Sequence, residues 1–412
     1  MGMNPLAERG IPIDRQTRNW AELNVTPFNK HEVHPYTRTR VIVMNGVEVE
    51  SILHSHQFQR NTDNVEVKAA LAQIRRIDQQ QQKAVNWLIP GDESALETTI
   101  GYEQTAVDLT AFLARTEPSP YLRQALEFAL IEDFDHLYRY ANLMDLIHEG
   151  RRAGEITGGL TEIMPGRPTA LEHRDPRDSV RKHFETHSVD PLSRLHVMTI
   201  VAAEQQTMNF YMNVGPQYVH PIARGLYQEI AMIEEQHVTH YGGLLDPLPS
   251  WLQRELFHHY NEAYLYHSFL SQEIDPRVRA VWELHLAMEI EHIQIAADLL
   301  RKYEGIEAAE ILPKELPEPT LFQENKEYVR HVIATQVDLT ARGTGFVPAA
   351  ALPENARYFV YQRKVNGDTV PPSEAVIAEV IREKGRDYRL VTPGLEPVPA
   401  EWQGEASQKT AA

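Results

Sequence analysis

The 412-residue sequence contains no cysteine. That removes disulfides, thiolate nucleophiles, zinc fingers, iron–sulfur clusters and any rubredoxin-type electron relay within the chain. Any metal must therefore be held by His, Asp or Glu. Basic charge is also short, since 40 Lys and Arg stand against 58 Asp and Glu, a net charge of −18. A phosphate-binding surface concentrates cations, so no nucleic acid partner is expected. No run approaches the roughly 18 consecutive apolar residues of a membrane span, and Met1-Gly2-Met3-Asn4-Pro5 lacks an apolar signal core. No membrane partner is expected either, and the expected location is cytoplasmic. With 42% hydrophobic and 24% charged residues, the composition is that of a globular chain rather than a disordered one.

What the sequence has in quantity is helical periodicity. It starts late: Asn45-Gly46 stands between two alternating runs, 40–44 and 47–50, and reads as a small N-terminal β-hairpin in an irregular segment over 1–62. Beyond about 64 the period predicts helices at 65–88, 93–115, 120–148, 190–213, 221–243, 249–270 and 276–303. Residues 150–189, with Gly150, Gly154, Gly158, Gly159, Pro165, Pro168 and Pro176, read as a long, mostly irregular connection. The expected fold is all-α, a helical bundle over 63–305 followed by a partly flexible extension over 306–412. That extension should carry a helix near 321–341, a short strand at 358–361, a helix at 373–383 and a low-complexity end.

Three of these helices open alike: Pro120 with Arg123, Pro221 with Arg224, and Pro276 with Arg279. Proline suits the first helical turn, where its missing N–H costs nothing. Thirteen residues after each proline stands an acid and sixteen after it a histidine: Asp133 and His136, Glu234 and His237, Glu289 and His292. Acid-x-x-His pairs alone are weak evidence, because Asp145/His148 and Glu255/His258 also match and read as accidental. The fixed proline and arginine make internal repetition the simpler cause, since roughly 0.02 such quartets are expected by chance. The arginines, far from the acids, should bond near the turns.

Glu103 lies 17 residues before Pro120 and Glu204 lies 17 before Pro221. At 1.5 Å per residue each sits roughly 20 Å from its turn, level with the acid on the returning helix. Acid and histidine three apart share a face. Apolar residues at spacings of three or four bracket each acid, so the acids point inward. Two such hairpins bring four carboxylates and two imidazoles together, a set too costly to bury without cations among them. Oxygen-rich ligation with one imidazole per ion suits iron or manganese.

The pattern Glu103…Asp133-x-x-His136 and Glu204…Glu234-x-x-His237 resembles the ferritin-like di-iron and di-manganese carboxylate superfamily, of rubrerythrin-like bundles, over about residues 93–243. The resemblance implies a ferritin-like four-helix bundle, here extended by an additional helical hairpin and flanking helices. It also implies a lengthwise crossover in the 150–189 connection, and two divalent metal ions, iron or else manganese, on Glu103, Asp133, His136, Glu204, Glu234 and His237. Asp133 departs from the usual Glu, and Glu132 is an available substitute. The third hairpin offers Glu289 and His292, but position 259 is a histidine and Glu262 lies only 14 before Pro276. Glu262, Glu289 and His292 are therefore an alternative set, shared with the second hairpin. Tyr140 and Tyr241, four residues after the motif histidines, read as packing or as donors near the metals. His31, His34, His54 and His56 read as a hydrophilic segment, and His173, Asp175 and Asp178 as a solvated loop.

The expected activity is that of a dimetal oxidoreductase acting with dioxygen or peroxide on a small-molecule substrate. With no cysteine, electrons must come from an external donor or from the substrate. A homodimer is compatible with this reading. The alternatives are a ferroxidase-type storage protein using the same ligands, and a metal-free helical scaffold.

Overall fold

The computed structural model describes residues 2–387, so the low-complexity end lies outside the described residues. Among the described residues the fold is all-α apart from one two-stranded antiparallel pairing. Among the described residues, eight helices exceed twenty residues: α1 (Pro35–Arg60), α2 (Val65–Asn86), α3 (Ala95–Thr116), α4 (Pro120–Ile147), α5 (Pro191–Val214), α6 (Pro221–Gly242), α7 (Trp251–Gln272) and α8 (Pro276–Glu304). Seven match the periodicity to within two residues at each end. Their starts are chemically marked: Ser94 with Glu97 and Ser250 with Gln253 form capping boxes, while proline opens α4, α6 and α8. The three repeated arginines do close their turns. Arg123 donates to the Glu117 carbonyl at 2.6 Å, Arg224 to Pro216 at 2.6 Å and Arg279 to Leu270 at 2.7 Å.

Helix α1 overturns the expected N-terminal β-hairpin. Val41, Ile42, Val43 and Met44 are all at most 2% exposed, so the helix is buried around its circumference and shows no 3.6-residue period in its sequence. Asn45 and Gly46 serve packing rather than a turn. The Asn45 side chain donates to Gln206 and accepts from Gln82. A Cβ on Gly46 would lie 2.9 Å from the Ala202 carbonyl oxygen and 2.8 Å from Gln206 Nε2, so glycine permits close approach to α5.

The chain divides into two units. The first comprises Met1–Asp92, Phe184–Gln206 and Leu245–Leu321. Its helices α1, α2, α7 and α8 close a ring, with α1 on α2, α2 on α8, α8 on α7 and α7 on α1. The second comprises Glu93–His183, Thr207–Leu244 and Phe322–Ala412. There α3 packs along α4, and α6 lies beside α4. Three shorter helices complete it: α9 (Lys326–Gln336) on α3 and α4, α10 (Arg357–Asn366), and α11 (Pro372–Lys384) on α4 and α6. Helix α5 belongs to the first unit through Gln206 and to the second from Thr207. The aromatic core of the second unit includes Phe134, Tyr140, Tyr211 and Tyr227.

Strand β1 (Leu339–Arg342) pairs with β2 (Gly345–Pro348), Thr340 opposite Val347. The strand expected at 358–361 falls inside α10, where the Tyr358 hydroxyl donates to the Leu171 carbonyl at 2.9 Å. Aromatic and β-branched residues favour strands only weakly, and docking on the 150–189 connection decides the helix. That connection is mostly irregular, as expected, with single helical turns at Ala153–Ile156, Thr169–Glu172 and Pro176–Ser179.

Candidate metal centre

In the second unit, α3 contributes Glu103, α4 contributes Asp133 and His136, and α6 contributes Glu234 and His237, all at most 1% exposed. His136 Nδ1 lies 3.2 Å from Glu234 Oε1, and His237 Nδ1 lies 3.3 Å from Glu234 Oε2 and 3.2 Å from Asp133 Oδ1. The two rings stand 6.0 Å apart, with one Glu234 oxygen toward each. Glu103, His136 and Glu234 each offer a ligand atom within 4.8 Å of the others, and so do Asp133, Glu234 and His237. Within the second unit the structure thus brings together the five first-choice residues that this unit carries. Glu204, the sixth, is 1% exposed on the part of α5 that belongs to the first unit.

Each histidine turns its other nitrogen to an outer carboxylate. His136 Nε2 is 2.9 Å from Glu172 Oε2, and His237 Nε2 is 2.8 Å from Glu132 Oε2. Glu132 therefore does not stand in for Asp133. It accepts from Arg167 at 2.6 Å and from Arg174, and is completely buried. Burial works against its charge, but Arg174 and Arg167, with His237, hold it well below the ordinary carboxylate range. An ionised Glu132 can only accept, so His237 Nε2 must donate. In a neutral His237 that leaves the Nδ1 lone pair facing two acids, and only a cation or a proton reconciles them.

The remaining acids are poorly compensated. Both oxygens of Asp133 and one each of Glu103, Glu172 and Glu234 accept no hydrogen bond. Burial pushes Glu103 well above its ordinary value and raises Asp133; it pushes Glu172 up to about 8 although His136 opposes it. Glu234 is buried too, but the neighbouring imidazoles of His136 and His237 bring it down to about 2. His136 is held well above the imidazole range because Glu172 and Glu234 outweigh burial. Buried acids without partners are rare in metal-free cores, and the donor set is one that hard divalent ions take up.

Glu172, Arg167 and Arg174 were not legible in the sequence, because the connection carrying them has no period. The Arg-Pro-Thr-Ala-Leu-Glu run at 167–172 gave no signal beyond its turn residues. That connection is not a solvated loop throughout. His173 is buried with Nε2 3.5 Å from Glu229, and Asp178 is buried and accepts from the Gly343 N–H at 2.6 Å and from Arg357. Asp175, which caps a helical turn and binds the exposed Arg177, is nearer the surface. Tyr140 packs its ring 5.2 Å from Tyr211 and 4.8 Å from Tyr227, and Tyr241 stands edge-on to His237 at 6.3 Å. It is Tyr211 that donates to Glu103, at 2.5 Å.

The third hairpin lies in the first unit, where α1 and α2 join it. Glu262, Glu289 and His292 are completely buried there, and His259 Nδ1 lies 3.0 Å from both Glu262 and Glu289. Glu255 is not accidental to this cluster: its oxygens stand 3.5 Å from His259 Nε2 and 3.2 Å from His54 Nε2. His54 in turn stacks on His258 at 4.4 Å. The segment expected to be hydrophilic thus forms part of a helix, and His34 caps its start by accepting from the Tyr36 N–H.

Compared with models of known protein families, with curated proteins and with solved structures, the chain gave no match.

Proposed function

We propose that the second unit is a dimetal-carboxylate oxidoreductase of the ferritin-like kind. The reading rests on one observation: Glu234 aims one oxygen at each of two inward imidazoles carried by different helices. In this reading Glu103, Asp133 and Glu234 would hold the metal ions through oxygen, and His136 and His237 through nitrogen. A pair of iron ions, or of manganese ions, supplies the binding and reduction of dioxygen or peroxide.

The protein's own part is geometric and electrostatic. Glu132, locked by Arg167 and Arg174, accepts the His237 Nε2 proton and so directs Nδ1 inward, and Glu172 orients His136 in the same way. Leu130, Leu137 and Ala231, each 0% exposed, help keep the site dry. A small-molecule substrate has a place to bind in a cleft of about 280 Å³ in this unit, lined by His173, Arg174, Glu229, Glu235, Gln236 and Tyr361. Arg174 lines this cleft and pairs with Glu132, which faces His237 Nε2. Electrons come from an external donor or from the substrate, as the cysteine-free sequence requires.

Elemental analysis of the full-length chain, purified after iron or manganese supply and paired with peroxide and dioxygen turnover, tests the reading. Glu234→Ala should lose both ions of this unit and all turnover, and His237→Ala should lose most of one ion. Metal content in Glu234→Ala equal to that of the parent refutes it.

A further inference from the structure

Four pairs of residues in this sequence share a 30-residue spacing at the same helical level: Glu103 and Asp133, Glu204 and Glu234, His259 and Glu289, and Glu48 and Asp78. The last lies on α1 and α2, the hairpin whose first helix the sequence disguises. Three residues after Asp78 stands Gln81, where His136, His237 and His292 stand in the other copies. Where those hairpins have Glu103 and Glu204, α7 has His259. The first unit therefore keeps two imidazoles, both delivered by α7 and α8.

We propose that the first unit holds a separate metal centre, in which Nδ1 of His259 and of His292, with the carboxylates of Asp78 and Glu289, binds a divalent first-row transition-metal ion. One ligand atom from each of these four residues lies within 4.8 Å of the others, and all four residues are at most 1% exposed. His292 Nδ1 is 3.0 Å from Glu289 Oε1 and 3.3 Å from Asp78 Oδ1. His259 Nδ1 is 3.0 Å from Glu289 Oε2, so this carboxylate reaches both rings, as Glu234 does in the other unit. Glu262 and Glu48 add two further buried acids beside them.

The tautomer of His292 is fixed independently of any charge assignment. The Gln16 amide donates through Nε2 to the Ile11 carbonyl at 2.7 Å and to the Met288 carbonyl at 3.3 Å, which leaves its Oε1 facing His292 Nε2 at 2.7 Å. An amide oxygen only accepts, so Nε2 carries hydrogen and the neutral ring points a lone pair at Glu289 and Asp78. Lone pairs of three acceptors at 3.0–3.3 Å repel unless a metal ion or a proton sits among them. Neither oxygen of Asp78, nor Oε1 of Glu262, nor Oε2 of Glu48 accepts a hydrogen bond, although all three residues are at most 1% exposed. Two imidazole nitrogens with carboxylate oxygens and no sulfur suit manganese, iron or cobalt. The site differs from that of the second unit at the outer ring nitrogens: Glu255 faces Nε2 of His259 and the Gln16 amide faces Nε2 of His292, where the second unit has the two acids Glu172 and Glu132.

Cobalt(II) added to the metal-free full-length chain is the probe, read by bound metal per chain and by visible absorption. His259→Ala/His292→Ala should bind at least one ion fewer than the parent and lose the corresponding part of the visible band. His136→Ala/His237→Ala should retain that ion whatever becomes of the other unit, so this site and the proposed oxidoreductase centre stand or fall separately. Should the alanine variant not fold, the near-isosteric Asp78→Asn and Glu289→Gln decide the matter, with a tenfold or greater rise in the Kd of the retained ion expected. Cobalt content and affinity unchanged in folded His259→Ala/His292→Ala, or in both amide variants, overturns the proposal.

Discussion

Glu132 offers the sharpest test of how the second unit is held together. Its carboxylate is 0% exposed and meets Arg167 at 2.6 Å, Arg174, and His237 Nε2 at 2.8 Å. Glu132→Gln keeps the volume, so no cavity contributes, but it leaves two buried guanidiniums without their anion. Removing one partner from a buried ion pair costs about 3–5 kcal/mol. At about 2–4 °C per kcal/mol for a unit of this size, the melting temperature of the metal-free protein should fall by roughly 6–20 °C. A second effect concerns His237, which loses the charged acceptor that keeps its proton on Nε2. Loss of such an orienting carboxylate lowers metal affinity about 10- to 100-fold. Calorimetry on the metal-free chain reads the first effect and metal titration reads the second. A variant that melts within 2 °C of the parent refutes the charge reasoning, and unchanged metal affinity refutes the orienting role.

The remaining predictions concern residues outside the two sites. Asp108 is completely buried and accepts from Thr161, and burial, opposed by that bond, pushes it up to about 7. The folded chain thus keeps a proton that the unfolded chain releases near pH 4, and stability falls as pH rises from about 4 to 7, by up to about 4 kcal/mol in all. Asp108→Asn removes this decline, so its melting temperature relative to the parent should be higher at pH 8 than at pH 4.5, and a pH-independent difference would count against it. Gly46→Ala places a Cβ 2.9 Å from the Ala202 carbonyl oxygen. The clash should exceed the gain in helix propensity and destabilise the protein by about 1–2 kcal/mol in urea unfolding; a stabilised variant would show that the two helices separate easily. Arg123→Ala, which removes a part-buried bond to the Glu117 carbonyl, should cost about 1.5–3 kcal/mol, and Arg279→Ala, whose equivalent bond is exposed, well under half of that. Equal losses would mean that burial does not set the strength of these turn bonds.

Seven helices were legible because each is amphipathic and bounded by marked residues: capping serines, prolines in the first turn and glycine after the last, as at Gly305. Asp133, His136, Glu234 and His237 were legible because the repeat fixes their level, and rigid helices of equal pitch carry that register into three dimensions. Helix α1 was not. Its residues are apolar on every side and interrupted by Asn45-Gly46, so the local signal matches a hairpin, and only the close approach at Ala202 explains the glycine. With α1 misread, the 30-residue spacing from Glu48 to Asp78 had no helix to lie on. His259 broke the pattern of an acid at that level, since α7 carries a histidine where the other hairpins carry Glu103 and Glu204.

By itself the sequence determined the helical class, the inward register of the repeated acids and histidines, and the exclusion of cysteine thiolate from any metal site. Only the tertiary structure decided which hairpins share a core, and that Glu132 is neutralised by Arg167 and Arg174 from an aperiodic connection. It alone decided that the third hairpin is completed by α1 and α2. Periodicity reports which face of a helix is buried; which other helix buries it depends on side-chain shape and charge matched between segments far apart in the chain, and that complementarity leaves no local pattern.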